Sequence, residues 1–299
     1  GAVFGKPVLL GCSEAKVCEV VMSLTRPSGI VQKFQMTVKK EADGTWKLFG
    51  DHRDFDMGLR AKAIRYVRVD GALAPAPQTG VEIGISTGLP TPGAVKSAIV
   101  SLVDTTGETE LFRMRDTKSA CPSRGFLVVD NAADPANPSY CEPFAPLTDA
   151  QIARLTAANP KFKVRLYSDY YTTVSFTFAD LRIDAPLVKS TELASAPFPS
   201  ASTATIDAFK TLTGVPGQLT ASWTAAPDSE VNRVGLWLSQ TGHARGVMRE
   251  VLGQSSLVLS IADPTLTAPT YRFLSLNALD GARRSFTTKY YGCGGGTCN

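Results

Sequence analysis

The sequence predicts a mainly β protein, a tandem of β-sandwich and β-meander domains with one short helix near residues 148–158. Three observations carry this. Short runs alternate apolar and polar residues, most clearly where Val174, Phe176 and Phe178 face one way and Ser175 and Thr177 the other. Turn-forming clusters such as Pro27-Ser28-Gly29 and Ala42-Asp43-Gly44 punctuate the runs. Six cysteines fall in three close pairs, Cys12 with Cys18, Cys121 with Cys141 and Cys293 with Cys298. That spacing suggests three local disulfides and an oxidising compartment, hence a protein that is secreted or held at the cell surface.

A chain of 299 residues suggests about two domains. Its 31 basic and 27 acidic residues leave a net charge of +4, too small for a nucleic-acid binder. No apolar run approaches the ~20 residues of a transmembrane helix. The chain opens without methionine or signal peptide, as a mature or trimmed form does. Leu9-Leu10-Gly11-Cys12 imitates a lipoprotein cleavage box, but Lys6 and Pro7 interrupt the apolar region such a signal needs, and a strand is the better reading.

In chain order, residues 1–71 read as an N-terminal meander with strands over Val3–Leu10, Lys16–Thr25, Ile30–Lys40, Trp46–Gly50 and Met57–Val69. A hairpin through Ser13-Glu14-Ala15 brings Cys12 nearly opposite Cys18, within disulfide reach; the alternatives are separately buried thiols or zinc, for which no C-x-x-C pair is present. Gln35-Met36-Thr37-Val38 followed by Asp43-Gly44-Thr45-Trp46-Lys47-Leu48 resembles the closing hairpin of NTF2-like domains, without the helices that precede it there.

Ala72 to Gln78 is rich in Ala and Pro and marks a boundary. The middle domain, 72–188, carries β runs at Val81–Ser86, Ala94–Asp104, Glu110–Arg115, Phe126–Val129, Phe162–Tyr171 and Thr172–Ile183. Its helix starts at the N-cap Thr148 and ends at Asn159-Pro160. Residues 189–203, rich in Ser, Ala and Pro, read as a linker or as an extended strand against a neighbour. In 204–292, Leu219-Thr220-Ala221-Ser222-Trp223-Thr224 and Pro227 precede β runs at Val231–Leu238, Val247–Leu252, Leu257–Ile261, Thr270–Ala278 and Arg283–Tyr290. With Leu266, Pro269 and Tyr271 set like a tyrosine corner and Asn277-Ala278-Leu279-Asp280-Gly281 like an F–G turn, this region resembles a fibronectin type III or immunoglobulin-like sandwich. Alternation shifts after Phe273 onto Leu274 and Leu276, a departure that a bulge would explain. Residues 293–299 form a Gly/Cys tail, either a local clasp through Cys293 and Cys298 or an attachment to a neighbouring subunit.

Candidate chemistry is sparse. Gly84-Ile85-Ser86-Thr87-Gly88 matches the nucleophile elbow, but Pro90 and Pro92 forbid the helix it needs, and His243 lies in another predicted domain. Ser13-Glu14-Ala15-Lys16 matches S-x-x-K within the expected hairpin turn. In the cluster Asp51–Asp56, Asp54 and Asp56 are candidate calcium ligands or general acids, against the reading of a solvated connection. Asp130 and Asp134, with Asn131 and Asn137, offer a calcium loop or Asx turns. Arg60 and Lys62 share a strand face, with Arg65 and Arg68 nearby, and Lys161, Lys163 and Arg165 repeat the pattern, as a grip for acidic polysaccharide or as an ordinary solvent face. Trp237, Tyr170, Tyr171 and Tyr291 are candidate ligand contacts. No cofactor is implied.

Three functions stay open. First comes a non-enzymatic structural or adhesive protein, a self-assembling subunit of an extracellular fibre, sheath or surface layer, whose partners are copies of itself or other extracellular protein or polysaccharide. Second is a monomeric module binding glycans or protein. Third is a secreted hydrolase built on Asp51–Asp56.

Overall fold

The computed structural model describes residues 3–12, 17–26, 29, 31–48, 57–87, 95–116, 126–130, 142–156, 161–181, 183, 185–251 and 253–293. They form a mainly β protein of four sheets. The first is antiparallel and takes β1 (Val3–Phe4), β2 (Val8–Cys12), β3 (Val17–Thr25), β4 (Val31–Lys40) and β5 (Trp46–Leu48). β1 and β2 lie end to end along β3, β4 pairs with β3 in turn, and β5 pairs with β4. Cys12 stands directly opposite Cys18 and is disulfide-bonded to it, with Cα atoms 4.0 Å apart. The β4–β5 turn follows from its residues: Gly44 takes φ 85°, its N–H donates to the Glu41 carbonyl at 3.0 Å, and the Asp43 carboxylate accepts the Thr45 N–H at 2.9 Å.

Next in the chain come β6 (Met57–Arg68), β7 (Gln78–Ile85), β8 (Ser97–Asp104), β9 (Gly107–Arg115), β10 (Val128–Val129), β11 (Phe144–Pro146), α1 (Asp149–Thr156), β12 (Lys161–Tyr167) and β13 (Val174–Leu181). Ala72–Gln78 connects two adjacent antiparallel strands, β6 and β7. A five-stranded sheet in the order β10-β9-β8-β12-β13 packs against β6, β7 and β11. Between them Val81, Ile83 and Ile85 meet Val100, Met114, Val164 and Leu166, with Ile152 of α1 closing the core. Thr148 and Gln151 cap α1 reciprocally: the Thr148 N–H donates to Gln151 Oε1 at 2.9 Å and the Gln151 N–H to Thr148 Oγ1 at 3.3 Å.

The remaining elements are a 3-10 helix over Ser190–Ser195, β14 (Ser200–Ala201), α2 (Thr203–Lys210), β15 (Gln218–Thr224), β16 (Ser229–Gln240), β17 (His243–Glu250), β18 (Ser256–Ser260), β19 (Tyr271–Asp280) and β20 (Ser285–Cys293). The 3-10 helix and α2 add to the one helix expected. A three-stranded sheet, β14-β15-β18, packs on β17-β16-β19-β20 around Leu219, Ala221, Trp223, Leu236, Leu259, Leu274 and Leu276, with Phe209 of α2 against them. Leu274, Leu276 and Ala278 face this core without a bulge near Phe273; the register shift in the β16–β19 ladder lies between Val231 and Arg233.

The two sandwiches share one sheet. Its order is β11-β7-β6-β20-β19-β16-β17, and β6 and β20 join in parallel, from Lys62 opposite Ser285 to Arg68 opposite Tyr291. Residues 189–203 cover this join on the core side. Phe198 packs with Ala63, Val188, Leu193 and Phe286, and its ring stands edge-on to Phe286 at 5.9 Å. The Thr288 hydroxyl donates to the Pro199 carbonyl at 2.6 Å, the Ala201 N–H to the Tyr290 hydroxyl at 2.8 Å, and Arg65 to the Pro199 carbonyl at 3.1 Å. The segment expected as a linker or as an extended strand against a neighbour thus packs across the join as a strap, with Ser200–Ala201 paired to β15. No helix among the described residues is long and apolar enough to cross a membrane.

Candidate functional site

Two surfaces stand out, and the first is the outer edge of the N-terminal sheet. Successive residues of a strand point to opposite faces. Yet Val3 and Phe4 are each 64% exposed, and Val8 and Leu9 each 60%. Apolar side chains on both faces of this edge are therefore mostly in water. Lys6 and Pro7 separate the two apolar pairs and discourage pairing across the middle. The sheet meets the second sandwich through a salt bridge of little exposure, Arg26 to Glu230 at 3.1 Å.

The second surface is the outer face of the seven-stranded sheet, turned away from both cores. Register places Gly246, Trp237, Phe273, Tyr291 and Arg68 side by side across β17, β16, β19, β20 and β6. The Trp237 and Phe273 rings are 5.2 Å apart, Tyr271 stacks on Phe273 at 6.4 Å, and the Arg68 guanidinium lies over Tyr291 at 5.8 Å. All of these aromatic side chains are half-buried. A Cβ at Gly246 would meet Trp237 Cδ1 at 2.0 Å, and one at Gly235 would meet its Cζ3 at 2.3 Å. The indole therefore lies along the sheet, over two positions that carry no side chain.

Charges on this face are balanced locally. Lys289, 2% exposed, donates to Glu142 at 2.6 Å and sits over the Tyr66 ring at 5.5 Å. Lys62 pairs with Glu82 and lies 4.0 Å from Glu142; Arg60 reaches Glu82 at 3.6 Å. Burial works to raise the Glu82 pKa, but the charge and hydrogen bond of Lys62, with the charge of Arg60, outweigh it and hold the carboxyl below its ordinary value. Burial, and then the charges of Tyr291 and Glu142, push the Tyr271 hydroxyl above its ordinary value, so it stays a neutral phenol at physiological pH. Arg60 and Lys62 are thus members of an ion-paired network.

Tyr170 and Tyr171 lie elsewhere, after β12. Tyr171 takes φ 74° and donates its hydroxyl to Asp130 at 2.8 Å, with the Met114 carbonyl sharing the proton at 3.1 Å; Tyr170 donates to Asp116 at 3.0 Å. The Arg113 and Arg115 guanidiniums cover the Tyr171 and Tyr170 rings at 5.1 and 4.6 Å. Asp130 is accordingly a tyrosine acceptor and lies 3.7 Å from Arg115 Nε. Of the other calcium candidates, Asp54, Asp56 and Asp134 lie outside the described residues, as do Cys121, Cys141 and Cys298 and the side chain of Cys293. Among the described residues no three His, Cys, Asp or Glu side chains are grouped as a metal site. Lys163 and Arg165 converge on Glu108 at 2.9 and 2.8 Å. Ser86 belongs to the first sandwich, bridged to Phe126, whereas His243 in the second donates to Asp263 at 2.9 Å. Asp263 also accepts from Arg245 and Thr265, and the Thr265 hydroxyl, then His243, hold it well below the usual carboxylate range.

The sequence points to Trp237 and Tyr291 as ligand contacts and to Tyr271 only as a tyrosine corner; Phe273 and Lys289, which β19 and β20 bring beside them with Tyr271, carry no such signal. The available signal was the alternation itself: Leu274 and Leu276 inward imply Tyr271 and Phe273 outward.

No family model matches this chain, and no curated protein matches it. Among solved structures, the chain is similar to one concerning host cell surface retention of a 1.5-MDa bacterial ice-binding adhesin, at 12% identity and TM-score 0.23, covering 94% of this chain and 74% of that one. It is also similar to a Ca2+-stabilized adhesin of an Antarctic bacterium, at 13% identity and TM-score 0.25, covering 98% and 74%. A third is a tetra-tandem repeat from the extending region of a large adhesion protein, at 11% identity and TM-score 0.25, covering 99% and 75%. At such TM-scores these likenesses carry no argument about fold or function.

Proposed function

We propose that this chain is a non-enzymatic extracellular structural or adhesive protein, a subunit that joins its neighbours through the N-terminal sheet. The observation that carries the reading is the exposed edge formed by Val3, Phe4, Val8 and Leu9. A strand edge offers unpaired N–H and C=O groups, and adding a strand from another molecule satisfies them while removing apolar surface from water. With Pro7 in the way, Val8–Cys12 is the stretch that accepts such a strand. The Cys12–Cys18 disulfide supports an oxidising location. The strand orders β14-β15-β18 and β17-β16-β19-β20 support a fibronectin-III/Ig-like reading of the second sandwich, and the entry of β6 into the shared sheet supports an N-terminal unit limited to β1–β5.

Electron microscopy of the native, unreduced protein tests this. Fibres or sheets are expected from the wild type and not from Val8→Lys/Leu9→Lys, whose melting temperature should match. Dispersed particles from the wild type at every concentration, or assemblies unaffected by the double variant, would remove the reading.

A further inference from the structure

The outer face of the shared sheet holds a second feature, independent of the N-terminal edge. Trp237 is the sole tryptophan among the described residues on this face, since Trp223 is buried in the second core and Trp46 belongs to β5. A tryptophan held only for its apolar bulk belongs between the sheets. Trp237 instead lies along the outer face, floored by Gly235 and Gly246, with Phe273 beside it and Tyr291 one strand further on. From Trp237 to Tyr291 the row spans two strand spacings, about 10 Å. Ser239 and Ser275 flank it on the same face, two residues from Trp237 and directly opposite Gly235.

We propose that this row is a binding site for a neutral polysaccharide, with a pyranose ring stacked on the Trp237 indole. The chemistry selects that ligand on three grounds. A half-buried indole laid along the sheet offers a flat aromatic surface that matches the C–H face of a sugar ring, which is apolar although its rim is polar. Hydroxyl side chains at the border match that rim. Charge decides between neutral and acidic chains: Arg60, Lys62, Arg68, Arg233 and Lys289 each have a carboxylate within 4.0 Å, namely Glu82, Glu142, Asp70 or Glu250, so among the described residues the cations of this face are already paired. A second copy of the chain would need no hydroxyl border, and it is an outcome of the test.

Affinity electrophoresis of the intact, unreduced protein through gels containing hydroxyethylcellulose, galactomannan, mannan or dextran provides that test. Retardation is expected in at least one gel, with apparent affinity falling about tenfold or more in Trp237→Ala, as loss of a central aromatic anchor implies. Trp46→Ala should bind as the wild type does. Gly246→Val keeps every aromatic group but lifts the indole off its floor, and should also lose binding. Circular dichroism melts identify any variant that fails to fold, in which case the milder Trp237→Leu replaces it. No retardation of the wild type in any gel, or equal retardation of Trp237→Ala, overturns the proposal. So does sedimentation in which Trp237→Ala abolishes only self-association.

Discussion

The N-terminal sheet and the second sandwich are built from the same kind of strand, yet they end in opposite states. In the sandwich, Leu236, Leu238, Leu274 and Leu276 point at a facing sheet and lose all contact with water. In the N-terminal sheet, β3 buries Cys18 and Val20, but Val8 and Leu9 on the neighbouring edge strand stay 60% exposed. Alternation makes a strand; a second layer makes a core. Where the layer is missing, local devices take over, and here they are the Cys12–Cys18 crosslink and the Arg26–Glu230 contact.

The contrast can be broken from either side. The largest effect is expected from Leu236→Ala, which empties a fully buried site and should cost about 2–5 kcal/mol, read as a lower midpoint in chemical denaturation. Because the sandwiches share a sheet, hydrogen exchange should then rise in β6 and β7 as well as in β16. Next is Cys12→Ser/Cys18→Ser. Closing so small a loop contributes about 2 kcal/mol in the chain-entropy account, and exchange should rise in β2–β4 while β15–β20 keep their protection. Equal loosening everywhere would mean that the N-terminal sheet is not an independent unit. Thr148→Ala, which removes one half of a capping box, should lower stability by about 1 kcal/mol, with exchange increasing in the first turn of α1.

Acid should produce the mildest change. The Thr106 hydroxyl, then Arg154, hold the Asp104 pKa at about 2, and Arg165, then Lys163, hold Glu108 at about 2. Both lie below the ordinary values of 3.8 and 4.5. Folding therefore favours the charged forms. Their contribution is complete above the ordinary values and is lost as pH falls toward 2, because the unfolded chain takes up protons first. Neither carboxylate is fully buried, so water still screens both and keeps the effect small. Asp104→Asn/Glu108→Gln should flatten the fall in melting temperature between pH 5 and 2, and an unchanged slope would show that other carboxylates control it.

Much of this arrangement was legible beforehand. Strands β15, β16, β18, β19 and β20 could be placed within a few residues because apolar runs lie between turn residues, β17 starts four residues earlier than expected, and Thr148 announced α1. The strap over residues 189–203 was not, since its two large apolar groups, Leu193 and Phe198, give no periodicity, and its role depends on Ala63 and Phe286 from distant strands. Nor was α2: Thr203-Ala204-Thr205-Ile206-Asp207-Ala208-Phe209-Lys210 follows that strap and carries two β-branched threonines and an isoleucine, poor helix formers that tertiary packing of Phe209 overrides. The parallel pairing of β6 with β20 joins segments more than two hundred residues apart, and no local pattern signals it. The same limit applied to the aromatic row. Trp237 was visible as a residue, whereas its flat pose depends on Gly246, a neighbour that only the register of β16 with β17 supplies.

That parallel join has a mechanical consequence. Tension applied toward the two chain ends enters β6 at Met57 and leaves β20 at Cys293. In a parallel pair those points sit at opposite ends of the ladder, so the load runs along the strands and its hydrogen bonds must slip together. An antiparallel hairpin such as β16–β17, pulled from its open end, would peel one bond at a time. The seam between the sandwiches is thus the place where a stretched molecule resists as a clamp, and the rate of forced unfolding is set there.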